Sequence, residues 1–131
     1  MTTLSVAAGG VQRFTLDAED ASPSAVRFYV VLASASGTLP GLLLDGVLVP
    51  LNFDSLLTAS LSSANGPIWQ STFGVLPPDG QITAALSLPA GTLDPSLEGL
   101  TLHHAAMTLT LALGGVAVTG ASNPAVLEFV P

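Results

Sequence analysis

Asp17, Glu19 and Asp20 stand together in the segment Asp-Ala-Glu-Asp, the only acidic cluster of the chain. Crowded loop carboxylates are the means by which a protein gathers part of the roughly six to eight oxygen ligands of a calcium ion. The spacing is not that of an EF-hand loop, and a solvated loop that keeps an apolar domain in solution explains the same residues more simply. Calcium is the one cofactor these residues suggest. His103 and His104 raise a second metal reading. Adjacent residues of a strand point to opposite faces, so the pair cannot hold one ion unaided. A structural role is expected instead, with one ring inward, hydrogen-bonded to a loop carbonyl, and the other outward. Trp69, Tyr29 and Phe73 are the aromatic residues that could stack on a sugar. Trp69 follows Asn65-Gly66-Pro67-Ile68 and so sits at or near a loop, although a Trp in such a fold more commonly packs inward.

Catalytic patterns are scarce. No Gly-x-Ser-x-Gly elbow and no glycine-rich phosphate loop occurs in the sequence. A carboxylate pair for glycoside hydrolysis would be a spatial feature, but the nine acidic residues are scattered over turns. The chain reads as non-enzymatic.

The elements that must carry these residues are strands. Val26 to Ser34 alternates Val26, Phe28, Val30 and Leu32 with Arg27, Tyr29 and Val31, apolar on both sides at its centre, as a central strand would be. Met107 to Leu113 reads Met-Thr-Leu-Thr-Leu-Ala-Leu, period two and without charge. Such a segment tends to pair with its own sheet, a neighbouring domain or another copy. Met107, Leu109, Leu111 and Leu113 are therefore the candidate assembly residues, unless the strand is simply central and buried. Asp45-Gly46 and Gly114-Gly115 are hairpin turns in the making. Ala8-Gly9-Gly10 predicts a hairpin or sharp bend between Thr2–Ala7 and Val11–Leu16. Pro77-Pro78-Asp79-Gly80 carries turn chemistry and predicts a hairpin over Ser71 to Leu88. Leu56 to Leu61 fits a strand or a short helix capped by Asn52 or Asp54, and Asp94-Pro95 predicts one helical turn. The sum is a single all-β domain over residues 1–131. It is expected to be an antiparallel, immunoglobulin-like or Greek-key sandwich of about seven to nine strands with at most one short helical turn.

Composition narrows the partners. The only basic side chains are Arg13 and Arg27, against nine acidic ones, for a net charge of -7. That excludes nucleic-acid binding and a polybasic membrane patch. Without cysteine there is no disulfide, thiolate zinc site or cysteine nucleophile. The longest uncharged stretch, Gly99 to Leu127, has the length of a membrane span. Its period of two and its Gly114-Gly115 and Asn123-Pro124 breaks argue against one. The first ten residues lack the basic start and apolar run of a secretion signal. The absence of Lys, with abundant Thr, Ser, Gly and Pro, nonetheless suits a mature secreted β-module.

Several stretches occur in an order that is familiar. They are Tyr29-Val30-Val31-Leu32-Ala33-Ser34-Ala35-Ser36-Gly37-Thr38-Leu39-Pro40-Gly41, Val49-Pro50-Leu51-Asn52, Gly74-Val75-Leu76, Leu88-Pro89-Ala90-Gly91, Gly99-Leu100-Thr101-Leu102-His103-His104-Ala105 and Ala121-Ser122-Asn123-Pro124-Ala125-Val126. Together they resemble a C-terminal β-sandwich module of secreted proteins from environmental bacteria. The resemblance spans about Leu4 to Pro131, implies an extracellular or cell-surface, non-catalytic role, and transfers no functional residues. The expected function is an accessory or surface-display domain mediating protein–protein contact. The alternatives are a self-assembling subunit, forming a filament or coat by strand pairing or exchange, and, more weakly, a carbohydrate-binding module using Trp69, Tyr29 and a loop calcium.

Overall fold

The computed structural model describes residues 2–18, 26–112 and 114–131. Among them the chain forms β1 (Thr2–Ser5), β2 (Gly10–Asp17), β3 (Val26–Ser34), β4 (Leu42–Leu44), β5 (Val47–Val49), α1 (Ser55–Ser62), β6 (Trp69–Gln70), β7 (Phe73–Val75), β8 (Gln81–Leu88), β9 (Thr101–Ala112), β10 (Gly115–Ala121) and β11 (Ala125–Val130), with a short 3-10 turn at Pro95–Leu97. Sheet A runs β1-β11-β9-β3-β7, with β10 on the same edge of β9 as β11; sheet B runs β2-β8-β6; β4 and β5 form a separate hairpin.

The fold is mostly β, and its sheets curl over one another as a sandwich does. Three expectations change. Sheet A is mixed, because β1 pairs with β11 in parallel, Thr2 opposite Leu127. Eleven strands occur among the described residues, several only two or three residues long. The helical content exceeds one turn, since the ambiguous segment at Leu56 is an eight-residue helix.

The Pro77–Gly80 turn forms as its chemistry demands, Gly80 N–H donating to the Pro77 carbonyl at 2.9 Å and Gln81 N–H to the Asp79 carboxylate at 3.0 Å. Its flanking strands nonetheless do not pair. β7 lies against β3 and β8 against β2 and β6, so the turn carries the chain from one sheet to the other. Turn residues specify a reversal; the partner of each strand depends on distant residues. The Ala8-Gly9-Gly10 bend behaves alike, linking β1 of sheet A to β2 of sheet B around a Ser5–Gly9 bridge. By contrast, Asp45-Gly46 and Gly114-Gly115 do close the hairpins β4–β5 and β9–β10.

Strand alternation divides the core. One face of sheet A packs Tyr29, Val31 and Ala106 against Leu76 and Ala84, and farther along the sheet Leu102, Leu127 and Phe129 meet Leu86 of sheet B. The other face packs Val30, Leu32 and Ala105 under Val49, Leu51 and Leu57, from the β4–β5 hairpin and α1. Sheet A is therefore a middle layer, covered on both sides near its centre. Buried Ser60 pins α1 in place. Its hydroxyl donates to the Leu57 carbonyl and accepts the Ala33 N–H at 3.0 Å, a main-chain donor of β3 that β7 is too short to reach.

Gly9 sits in the inter-sheet bend with φ +69, and a Cβ there would collide with the Leu88 carbonyl and lie 2.8 Å from Ala90 N. Only glycine fits, on both conformation and space. Gly9→Ala is expected to lower unfolding free energy by about 2–3 kcal/mol, read as a lower urea midpoint with unchanged m-value.

Candidate functional site: the outer face of sheet A

The residues singled out for chemistry are dispersed. Asp17 ends β2, while Glu19 and Asp20 lie outside the described residues. Among the described residues no three His, Asp or Glu side chains cluster as a metal would require. Tyr29 is only 7% exposed and its hydroxyl donates to the Ser71 carbonyl at 2.8 Å; burial raises its pKa. Trp69 is partly buried against the Leu86–Phe129 cluster. Neither aromatic is displayed as a sugar platform.

The Trp69 indole N–H has a partner that the sequence did not suggest. It donates to His104 Nε2 at 3.2 Å, where a loop carbonyl was expected to meet the histidine. His104 is 1% exposed, its ring 4.6 Å from Phe14, and His103 points to the opposite face, as alternation requires. Because Nε2 accepts, the ring proton sits on Nδ1 and the imidazole is neutral. Burial, aided by the charge of His103, pushes the His104 pKa down to about 4. The unfolded chain therefore takes up this proton more readily, and stability falls as pH drops from the ordinary histidine value toward 4. On the order of 3 kcal/mol is at stake. Urea unfolding followed by Trp69 emission should show that loss in the native chain, and His104→Gln should flatten it.

The candidate assembly residues lie in β9, except Leu113, which is outside the described residues. β9 is hydrogen-bonded on both sides: β3 along Val26–Ser34 on one, β11 and β10 on the other. Met107, Leu109 and Leu111 therefore have no free edge to offer. What they offer is a face. Register sets Val26, Leu111 and Val116 side by side in one row, and Val75, Phe28, Leu109 and Val118 in the next, neighbours about 5 Å apart. Helix α1 and the β4–β5 hairpin cover the Leu32 end and reach Leu109 and Val118, which with Phe28 are half-buried, while the Val26 row and Val75 stay exposed. Val75 is 62% exposed and Val116 60%, with Val26, Phe73 and Leu111 also exposed. Neither row holds a charged or polar side chain. Leu39, Leu43, Leu48 and Phe53, on or beside the hairpin, extend the exposed apolar character. A soluble chain seldom displays so many neighbouring large apolar side chains without something to cover them.

Two side chains tie together the loops and helix beside this surface. The Asp54 carboxylate caps α1 at Leu57 N–H and also accepts from Ser34 Oγ, Ala35 N–H and both the N–H and Oγ of Ser36. The Asn52 side chain bonds Gly41 N–H and the Ser36 and Leu39 carbonyls. Two other side chains guard strand edges. Asp45, at the hairpin tip, accepts the Val118 N–H of β10 at 2.8 Å, and Asn65 pairs with both main-chain groups of Phe73 in β7.

Partial burial raises the Asp54 pKa, but the hydrogen bonds from Leu57, Ser36, Ala35 and Ser34 outweigh it and hold it near 2. A carboxylate held below its unfolded value stabilises the fold above that value and loses the contribution as pH falls through about 2. Asp54→Ala is expected to cost about 1–2 kcal/mol at neutral pH. Measured against the native chain at each pH, the deficit should narrow between about pH 4 and pH 2.

Comparison with family models, with curated proteins and with solved structures gave no match.

Proposed function

We propose that this chain is a non-catalytic, extracellular or cell-surface β-sandwich domain, an accessory or display unit that mediates protein–protein contact through the outer face of sheet A. The uncharged face built from Val26, Phe28, Val75, Leu109, Leu111 and Val116 carries this reading. The resemblance to secreted modules supports the location and the absence of catalysis, and the sandwich is read as a variant of the immunoglobulin-like, Greek-key type. A self-assembling subunit is the second reading, favoured by the same face, since two identical apolar surfaces can bury one another. Strand exchange through β9 has less support because both its edges are occupied. The carbohydrate reading is weaker again, with Trp69 and Tyr29 turned to internal partners.

The test replaces two exposed residues, Leu111→Asp with Val116→Asp, which no core cluster requires. The native chain should enhance the emission of a hydrophobic dye, and the double variant should lose most of that signal while keeping its melting temperature within a few degrees. Sedimentation of the native chain at rising concentration then separates the two readings: a monomer that binds dye points to a different protein as partner, a dimer to a second copy. A native chain that is both monomeric and dye-silent would sink the proposal.

A further inference from the structure

A recess opens at the other end of sheet A from the Val26 row. Every residue that lines it is apolar, and its volume is about 220 Å³. Leu86 of β8, Leu102 of β9 and Phe129 of β11 form its buried floor. Trp69 and Leu56 stand beside them, half-buried. The one polar side-chain atom among the lining residues, the Trp69 indole nitrogen, is already engaged by His104. Ala35 also lines the recess and is exposed, so the recess is open to solvent. It sits where β2 and β8 set Gly10 opposite Leu88 and where β3 and β9 set Ser34 opposite His103, at the far end of those strands from Asp17 and Val26.

One wall is a lip that belongs to neither sheet. Residues 92–98 bring Leu93 and Leu97 to the recess, both half-buried against the Leu86–Phe129 cluster. Gly91 and Gly99, each with positive φ, bracket the lip. Their N–H groups tie its ends down, Gly91 to the Ala7 carbonyl and Gly99 to the Phe129 carbonyl. Between those ties, the hydrogen bonds of the lip among the described residues stay inside the connection. Ser96 N–H donates to the Asp94 carboxylate, Leu97 N–H to the Asp94 carbonyl, Glu98 N–H to the Pro95 carbonyl and Thr92 Oγ1 to the Pro89 carbonyl. Apolar contact by Leu93 and Leu97 is what seats the lip on the body. A segment held in that way can lift and settle again without disturbing a strand ladder.

We infer that this recess binds the aliphatic chain of an uncharged small molecule, about eight or nine carbons long, independently of the apolar outer face. The length follows from the volume. A cavity of ~150 Å³ lined by Leu, Ile and Phe takes benzene, and about 220 Å³ is half as large again. The chemical class follows from the walls. A hydroxyl, amide or charge buried among them would find no partner, so only hydrocarbon enters and a head group stays at the mouth. Asp94 and Glu98 are exposed on the lip beside Leu93 and Leu97, and neither arginine lines the recess. A carboxylate head would therefore meet like charge, and a neutral head, an alcohol or an ester, would not.

Trp69 is the only tryptophan and lines the recess, so its emission reports occupancy. The test titrates the native chain with n-alkanols from butanol to dodecanol, each below its solubility limit, and with octanoate. Emission should change saturably, and binding should tighten about fourfold with each added methylene. The gain should stop at about nine carbons, where the recess is full. Octanoate should bind more weakly than octanol. Ala35→Leu fills the mouth and removes no core side chain, since Ala35 is exposed. It should abolish the response while keeping the melting temperature within a few degrees. The Leu111→Asp, Val116→Asp double variant should respond like the native chain, which keeps this result separate from the outer face. The proposal is overturned by absence of a saturable response, by affinity that climbs without a break to dodecanol, by octanoate binding as tightly as octanol, or by undiminished binding in Ala35→Leu. A native dimer that Ala35→Leu turns into a monomer would also overturn it, by assigning the recess to a second copy.

Discussion

The nine-residue antiparallel register between β3 and β9 sorts the side chains of sheet A onto two faces of opposite character. Val26, Phe28 and Val30 share a side with Leu111, Leu109 and Met107; Arg27, Tyr29 and Val31 share the other with Thr110, Thr108 and Ala106. A slip of one residue would exchange the two sets. Near the middle both sets are apolar and both are covered, so burial fixes the register. Toward the Val26 end the coverage stops while the register continues. One face there stays apolar and exposed, and the other becomes a polar floor holding an arginine.

Charge follows from the same geometry. In a chain with so few ionic side chains, several of the described ones have a definite place. Asp54 is spent on a helix cap and a loop, Asp45 on a strand edge, Asp94 on the Pro95 turn, and both arginines on one cleft. His104 enters the core as a neutral acceptor for Trp69. The low charge of the composition thus has a structural counterpart: polar groups act at single points, and large areas are left to hydroxyls and aliphatic carbon.

What could be read from the sequence was local. Asp45-Gly46, Gly114-Gly115 and the Asp94-Pro95 cap form as their chemistry requires, because each is decided within four residues. The alternation of Val26–Ser34 marked a central strand because both its faces are apolar. Pairing was not legible in the same way. Pro77–Gly80 gave away its turn but not that its two strands belong to different sheets. The uncharged run from Met107 pointed to strand pairing, and the partners that fill both its edges, β3 on one side and β11 with β10 on the other, could not be named from it. That Arg13 and Arg27 border one groove left no trace in spacing, because it depends on how sheet B folds across sheet A. Trp69 and His104 are thirty-five positions apart, and nothing in either neighbourhood names the other.

Two side chains at strand edges limit how a surface this apolar can meet another molecule. With Asp45 bonded to Val118 of β10 and Asn65 to Phe73 of β7, main-chain positions on which a neighbouring molecule could continue sheet A sideways are already taken. Lateral growth would propagate without limit, each added copy presenting a fresh edge to the next. Stacking of faces ends with the first match, because the surface that joins is also the surface that is consumed. The carboxylate and the amide at those two positions therefore weight β7 and β10 against edge-to-edge pairing and leave the face of the sheet as the surface on offer.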